Sequence, residues 1–238
     1  MSTPSSALLR SNRLLELLPP DDMARISNAL DEVELELREP LCNSGEPIEN
    51  VYFPIGSVVS LLTRVEPTSG VEVATVGNEG LVGISLSWGA AALNPADFFQ
   101  VQVPGRALRM GADLFKDELA LGGGVASIVH KYTQAFVSQI CQQVACNALH
   151  SIEERCARWM LLTNDRVGGD KFPLTQEFLA QMLGVRRASV SAVAGVLQRA
   201  NVIRYHRGWV SVTDRAGLEA ASCSCYAVLR EVFDRLLS

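Results

Sequence analysis

The stretch that decides the fold is residues 174–185, which read Leu-Thr-Gln-Glu-Phe-Leu-Ala-Gln-Met-Leu-Gly-Val. Thr175 can accept hydrogen bonds from the free amides of a helix's first turn, and Gly184 can adopt the left-handed backbone that ends a helix. The apolar positions between them follow helical spacing and supply one inward face: Phe178, Leu179, Met182 and Leu183. The stretch therefore predicts a short helix that closes in a tight glycine turn.

A second helix is predicted from about residue 187 to residue 200. Its apolar side is formed by Val190, Val193, Ala194 and Leu197. Two short helices joined by a glycine turn form the helix-turn-helix unit. The opposite side carries the small residues Ala188, Ala192 and Gly195, which let a helix approach base edges closely.

A β-hairpin is predicted directly after this pair of helices. Residues 202–205 and 209–212 alternate apolar and polar side chains across the turn-forming His206-Arg207-Gly208. Such a hairpin is the wing of a winged helix. Its tip would offer Arg204, His206 and Arg207 to the DNA backbone.

Arg187 is the residue that we expect to read a base, because arginine paired with guanine is the commonest specific contact. Arg186 is expected on phosphate. The full set of expected DNA contacts is Thr175, Gln176, Arg186, Arg187, Ala188, Ser189, Ser191, Ala192, Arg204, His206 and Arg207. The competing interpretation is a protein-interaction module, in which a dimer of the N-terminal region binds a partner and the winged helix is a scaffold.

The charge distribution supports DNA binding although the whole chain of 238 residues carries a net charge of −5. Residues 1–150 carry 9 Lys/Arg against 17 Asp/Glu, a net of −8, whereas residues 151–238 carry 12 against 9, a net of +3. The basic segment contains six arginines: Arg186, Arg187, Arg199, Arg204, Arg207 and Arg215. Such a segment on an acidic protein is typical of a surface that binds phosphate.

The N-terminal region, residues 1–115, predicts an all-β unit behind a short helical start. Its apolar runs are 51–53, 58–62, 71–76, 98–103 and 107–110, and turn residues separate them. Strands at this spacing indicate a small antiparallel barrel or sandwich.

One long helix is predicted over residues 125–149, which contain no Gly or Pro. A first apolar stripe consists of Val125, Ile128, Tyr132, Ala135, Cys146 and Leu149, and a second of Phe136, Ile140, Val144 and Ala148. One face could pack on its own domain and the other on a twin helix. Periodicity leaves a single buried helix open as the alternative.

With these features the sequence resembles the Crp/Fnr family of bacterial regulators. The residues that carry the resemblance are Gly45-Glu46-Pro47, Tyr52-Phe53, Gly56-Ser57-Val58, the long helix, and residues 174–203 with the wing. The resemblance implies an α+β fold: an antiparallel, jelly-roll-like β-roll of the cyclic-nucleotide-binding type (1–122), a long dimerisation helix (123–150) and a winged helix-turn-helix (151–238). It also implies a homodimer on a palindromic operator, with RNA polymerase as a partner.

Two departures from the family's pattern bear on specificity. Arg187 falls where catabolite activators have a base-reading arginine, but the family's following Glu and Arg are replaced by Ala188 and Ala192. The operator should therefore differ from that of the catabolite activators. The nucleotide pocket departs further, because Ile84 replaces the ribose-binding Glu and residues 94–97 contain no phosphate-neutralising Arg. Since a buried phosphate needs a cation, we do not expect gating by cyclic AMP.

A pocket for an unidentified effector is one interpretation of this region, at Gly80, Val82, Gly83, Ile84 and Ser85, and a turn between strands is the alternative. No metal or other cofactor is expected. Cys223-x-Cys225 could bind a metal or oxidise, but two thiols without a second pair or nearby histidines make a poor zinc site, so helix packing is favoured. The six cysteines are expected to be free thiols in a reducing compartment.

Catalysis is not expected, because the sequence contains no nucleophile elbow, phosphate loop or metal-binding helix. It also has no apolar run long enough to cross a bilayer and no signal-peptide pattern at its start. We therefore expect a cytoplasmic homodimer that binds double-stranded DNA and no membrane.

Overall fold

The computed structural model describes residues 4–66 and 69–238. The helices are α1 (Ser6–Leu9), α2 (Arg13–Glu16), α3 (Pro20–Ser27), α4 (Ala112–Ala120), α5 (Gly124–Leu149), α6 (Ile152–Val167), α7 (Gln176–Leu183), α8 (Arg187–Arg199), α9 (Arg215–Ala221) and α10 (Cys225–Leu236). The strands are β1 (Asp31–Leu35), β2 (Pro40–Cys42), β3 (Asn50–Ile55), β4 (Val58–Glu66), β5 (Ser69–Val76), β6 (Asp97–Val103), β7 (Gly105–Gly111), β8 (Lys171–Pro173), β9 (Ile203–His206) and β10 (Trp209–Val212). A short 3-10 helix spans Ile84–Trp88. Among the described residues, no helix is long and apolar enough to span a membrane.

The N-terminal half is a β-roll of two antiparallel sheets. One sheet has the strand order β1-β7-β3 and the other β2-β6-β4-β5. The five predicted runs correspond to β3 to β7, whereas β1 and β2 were not predicted. β1 reads Asp-Glu-Val-Glu-Leu and only Leu35 in it is buried, so this edge strand lacks the apolar signal of the others. The α+β fold class, with an antiparallel roll, a long helix and a C-terminal helix-turn-helix, is confirmed.

Asn12 fixes the N-terminal helices to the roll. Its side chain is fully buried. The amide nitrogen donates to the carbonyl oxygens of Pro54 (3.2 Å) and Gly80 (3.0 Å), and Oδ1 accepts from the first amides of α2. One polar side chain therefore caps a helix and joins two separate parts of the roll.

The long helix α5 packs on its own roll through most of the first predicted stripe. Val125, Ile128, Tyr132 and Ala135 are buried there, whereas Leu149 is 80% exposed. In the second predicted stripe Phe136 is buried and Ile140 half-buried against the roll, while Val144 and Ala148 are exposed. The stripe that the structure leaves exposed is Val137, Cys141, Val144 and Ala148. We call these four residues the α5 seam, and they correct the composition of both predicted stripes.

The C-terminal half is a winged helix built on one apolar cluster. The sheet β8-β10-β9 adds a strand, β8, that was not predicted from its three residues. This cluster extends beyond the winged helix, because it also contains Val58, Leu62 and Val103 of the roll. Conversely, the core of the roll contains two residues from the C-terminal half, Phe233 and Leu237.

A buried polar network also joins α6 to the roll. The guanidinium of Arg166 donates to both oxygens of Glu79, at 2.7 and 3.1 Å, and to Thr75 Oγ1. Arg166 and Glu79 are both buried, and Glu79 lies in the turn 77–80 between β5 and the 3-10 helix. On the same face of α6, Trp159 Nε1 donates to Glu72 Oε1 at 2.9 Å.

Glu72 is a buried carboxyl group, and its burial favours the protonated form. Burial is the largest cause that raises the pKa of Glu72, to about 7, against the lowering effect of its hydrogen bond with Ser60. Ser60 Oγ lies 2.7 Å from Glu72 Oε2 and 2.8 Å from Gln102 Oε1. Because one hydroxyl has a single proton, a protonated Glu72 that donates to Ser60 lets Ser60 donate to Gln102.

We predict that Glu72→Gln reduces the pH dependence of folding stability. Between about pH 4.5 and 7 the native chain keeps a proton on Glu72 that the unfolded chain has released, so the free energy of unfolding falls as pH rises. Gln donates to Ser60 and accepts from Trp159 without titrating. Urea unfolding at pH 5 and pH 8 should show a loss that is smaller in the variant by up to about 3 kcal/mol. Glu34→Gln, at an exposed position of β1, should retain the wild-type loss, and an unchanged profile for Glu72→Gln would contradict the prediction.

Candidate nucleic-acid interface

The turn between α7 and α8 forms as the sequence predicts. Thr175 is the N-cap of α7, and its Oγ1 accepts from the amide of Phe178 at 3.1 Å. Gly184 follows the helix with φ 64° and ψ 39°, the left-handed region that favours glycine. Arg155 of α6 is buried and donates to the carbonyl oxygen of Leu183 at 2.6 Å, which satisfies a free carbonyl at the end of α7.

Helix α8 lies with its predicted apolar side inward. Val190, Ala194 and Leu197 are buried and Val193 is half-buried. The N-terminal part of the other side faces solvent: Arg186, Arg187, Ala188 and Ala192 are exposed, and Ser189 and Ser191 are half-buried. The structure therefore exposes a face of α8 that carries two arginines and otherwise only small side chains.

Arg187 is an exposed cation of this face. Its Nε lies 3.9 Å from Glu177 Oε2, and the two side chains are 67% and 74% exposed. An ion pair this long and this open contributes little free energy, so the guanidinium can leave it for a base edge. Arg186 is the N-cap residue of α8, beside the free amides of the first turn, where a phosphate is favoured.

Thr175 and Gln176 lie at the edge of this face. Ser191 Oγ donates to Gln176 Oε1 at 2.5 Å, which leaves the NH₂ of Gln176 as a donor. Thr175 is exposed and uses its oxygen as an acceptor for the cap, which leaves its hydroxyl proton. Both residues are thus held in place and keep a donor for phosphate.

The wing is a β-hairpin with a two-residue turn, Arg207-Gly208, and His206, which the sequence placed in the turn, is the last residue of β9. Arg207 and Gly208 have φ values of 48° and 78°, and His206 pairs with Trp209 across them. Positive φ at both central residues is the type I′ turn, whose twist matches that of a hairpin. Arg204, His206 and Arg207 are all exposed, as predicted.

Sequence reasoning missed one part of the wing surface and counted one arginine too many in the basic segment 186–215. Lys171 Nζ lies 4.9 Å from the ring centroid of Trp209, which is 44% exposed, so a further cation and an aromatic ring extend the wing. An exposed tryptophan beside the basic turn was the available signal. Arg215, by contrast, is bound to Asp165 and Glu219 at 2.5 and 2.9 Å. It is part of the α6–α9 packing and not of the interface.

A cavity of about 460 Å³ lies between the roll and α5. Of the predicted pocket residues, Ile84 and Ser85 line it. Gly80, Val82 and Gly83 do not: Gly80 packs on the ring of Tyr132, and Val82 pairs with Tyr52 through two backbone hydrogen bonds. These three positions shape the turn and do not line the cavity, which corrects the predicted pocket.

The cavity wall is apolar with one carboxylate. Trp88, Phe99, Phe136 and Ile140 contribute large apolar surfaces. Asp97 is the charged member among the described lining residues, none of which is Lys or Arg, and its Oδ1 accepts from Thr63 Oγ1 at 2.7 Å. A phosphate placed here would meet a carboxylate and no cation.

The prediction that Cys223 and Cys225 lack further metal-binding neighbours is wrong, because these residues pack against the end of α5. Cys223 and Cys225 do have a nearby cysteine and a nearby histidine: Cys146 and His150, from the end of α5, lie beside them. Burial raises the pKa of Cys223 to about 12. Spacing along the chain could not reveal this proximity, because more than 70 residues separate the two pairs.

The fold and the exposed basic face define a winged-helix DNA-binding protein with a β-roll in front of it. Residues 154–221 match the family model of the Crp-like helix-turn-helix domain. No curated protein sequence matches the chain.

Solved structures share the architecture over most of the chain. FixK2 from Bradyrhizobium japonicum is 14% identical, covers 82% of this chain and 98% of its own, and has a TM-score of 0.67. A Crp/Fnr-family transcriptional regulator from Thermus thermophilus is 18% identical, with 81% and 98% covered and a TM-score of 0.61. The c-di-GMP-responsive regulator CLP from Xanthomonas campestris is 13% identical, with 82% and 99% covered and a TM-score of 0.61. At these identities the structures show the shared fold.

The match assigns residues 154–221 to the Crp-like helix-turn-helix domain, and the solved structures show that the chain shares the fold of Crp/Fnr-family regulators.

Two glycines of the helix-turn-helix should respond to alanine in opposite directions. Gly184→Ala forces a side chain into the left-handed region and should lower the free energy of unfolding by about 1–2 kcal/mol. Gly195→Ala, inside α8, should raise it by about 0.5–1 kcal/mol, because only the mobile end of Arg199 lies near the added methyl. Urea denaturation measures both, and a stabilising Gly184→Ala would contradict the assigned turn.

Proposed function

We propose that the chain is a homodimeric, sequence-specific regulator whose α8 helices enter successive major grooves of a palindromic operator. The observation that carries this proposal is the open N-terminal part of α8, where two arginines flank small side chains. In helix-turn-helix dimers the half-sites lie about 34–36 Å apart, one turn of DNA.

Within this proposal the residues divide into two roles. Arg187 reads a base in the major groove, while Ala188 and Ala192 let the helix approach and leave room for a base different from that of the catabolite activators. The phosphate backbone is bound by Arg186, Thr175, Gln176, Ser189 and the wing residues Arg204, His206 and Arg207. Ser191 donates its hydroxyl proton to Gln176 and so positions that residue instead of binding phosphate itself. Phosphate contacts position the protein, and base contacts supply the sequence preference.

The α5 seam supports a parallel, two-fold dimer. Its residues recur at intervals of four, three and four, the spacing with which one helix packs into a left-handed coiled coil. Val137 and Val144 are 46% and 66% exposed, although both are large and apolar. A second copy of the same helix would cover them and place each seam residue near its own counterpart.

The lining of the cavity favours an effector other than cyclic AMP as the ligand that regulates this protein. An apolar wall with Asp97 and no cation suits an apolar effector that is neutral or positively charged, and it disfavours a phosphodiester. We further propose that the dimer acts in the cytoplasm, where the chromosome lies, and that it contacts RNA polymerase there.

We predict that Arg187→Ala relaxes base preference. With an operator obtained by genome-wide mapping of bound sites, the variant should lose about 1–3 kcal/mol of specific binding and keep its affinity for unrelated duplexes. Fluorescence anisotropy measures both. An equal loss on operator and unrelated DNA would contradict base reading, and unchanged binding to both would favour the protein-interaction module.

Arg207→Ala is predicted to act on phosphate binding alone. It should weaken binding to all duplexes alike and reduce the slope of log K against log salt by about one per protomer, because fewer counterions are released. Arg235→Ala, an exposed arginine of α10, is the matched control and should change neither quantity. A selective loss on the operator would instead assign Arg207 to base recognition.

The dimer proposal predicts a disulfide between two copies of Cys141. All six cysteines lie in the described ranges, and of these only Cys141 is exposed. Mild oxidation should therefore yield a covalent dimer on non-reducing gels, which Cys141→Ser abolishes. Val144→Glu should shift the protein to monomer in analytical ultracentrifugation, whereas Leu114→Glu on α4 should leave the dimer intact. A dimer that resists Val144→Glu would place the interface elsewhere.

A further inference from the structure

Four metal-binding side chains meet where the long helix ends. Cys146 lies in the last turn of α5 and His150 is the residue that follows this helix, whereas Cys223 lies between α9 and α10 and Cys225 is the first residue of α10. Their ligand atoms all lie within 4.8 Å of one another. Cys146 Sγ is 3.5 Å from Cys223 Sγ, and Cys225 Sγ is 3.4 Å from His150 Nδ1.

The end of α5 brings two of these side chains together. Cys146 and His150 are four residues apart and so share one face of the helix end. His150 is the C-cap residue, and its amide donates to the carbonyl oxygen of Cys146 at 3.1 Å. All three cysteines are buried in a cluster of their own and His150 is half-buried.

The donor set and its spacing suit a tetrahedral zinc ion. Three thiolates and one imidazole are a common structural zinc set, and zinc–sulfur bonds of about 2.3 Å put the ligands about 3.8 Å apart. The observed separations of 3.4 and 3.5 Å fit one central ion. An iron–sulfur cluster distributes its ligands over several irons and so needs a wider arrangement.

The surrounding charges also favour an anionic centre. Arg155 and Arg158 of α6 are buried, and the Nε of each has no hydrogen-bond partner within the described part of the chain. The charge on Arg155 interacts with Cys146 and Cys223, and that on Arg158 with Cys146. One Zn²⁺ and three thiolates sum to a charge of −1, which would stabilise these two buried cations.

We propose that Cys146, His150, Cys223 and Cys225 bind one Zn²⁺ per chain. On binding, the three thiols release three protons and each sulfur donates an electron pair to the metal, with no change of oxidation state. Gln142 Nε2 donates to Cys225 Sγ at 3.0 Å and stabilises that thiolate. The ion joins the end of α5 to the start of α10, beside Ser151, where α6 and the winged helix begin.

The test uses the purified full-length chain and needs no DNA, so it stands apart from the proposed function. Protein produced with zinc in the medium should contain one zinc per chain by mass spectrometry. After chelation, Co²⁺ alone should restore a stoichiometric species with a sulfur-to-cobalt charge-transfer band and intense ligand-field bands, which mark tetrahedral thiolate coordination. Chelation should lower the thermal midpoint, and added Zn²⁺ should restore it.

Cys225→Ser and His150→Ala should each lower zinc affinity by more than about tenfold, and Gln142→Ala by about tenfold to 100-fold. Cys141→Ser removes an exposed thiol from the same helix and should bind zinc as the wild type does. Circular dichroism checks that each variant folds. The wild-type cobalt spectrum tests the proposal even where a variant fails to fold.

Three results would overturn the proposal. The first is a folded wild-type chain that binds neither Zn²⁺ nor Co²⁺ stoichiometrically under reducing conditions. The second is a Cys146–Cys223 disulfide in the protein as isolated under anaerobic conditions. The third is iron with the visible absorption of an iron–sulfur cluster.

Discussion

The orientation of the DNA-binding half depends on the buried ion pair between Arg166 and Glu79. Glu79 belongs to a turn of the roll and Arg166 to the helix that begins the winged domain, so the pair fixes one relative to the other. Removing one member of such a pair leaves an uncompensated buried charge, which typically costs about 3–5 kcal/mol. Arg166 also donates to Thr75, so its guanidinium is held by more than one group. The same turn contains Gly80, against which Tyr132 of α5 packs. This turn of the roll therefore contacts both α5 and α6.

The distribution of charge explains how an acidic protein can bind DNA. The acidic residues are concentrated in the roll, whereas exposed arginines gather on α8 and the wing. Several arginines of the C-terminal half do not contribute to that surface. Arg155, Arg158 and Arg166 are buried, and Arg215 is bound to acidic neighbours. The basic surface consequently rests on fewer side chains than the composition suggests, and each of them matters more.

The helix-turn-helix and the wing were predictable because their signals are local. A capping threonine, a glycine turn and a short hairpin each occupy a few consecutive positions, and Thr175, Gly184 and Gly208 adopt the expected conformations, although His206 belongs to β9 and not to the turn. The α5 seam was only half predicted, since periodicity shows that a helix has apolar faces but not which of them meets its own domain. The cysteine cluster could not be predicted, because its two halves are brought together by packing alone. β1 and β2 were missed because short edge strands bury few side chains.

The last helix has a consequence for how the chain folds during synthesis. Phe233 and Leu237 complete an apolar core whose other members begin at Leu9, so this core contains contacts between the two extremes of the sequence. Such high contact order slows folding, because a long loop must close before the contacts form. On the ribosome, the roll can collapse early, but it cannot reach its final packing until α10 has emerged. Until then an apolar patch on the roll and α5 stays uncovered, and this interval is when the nascent chain is most exposed to aggregation.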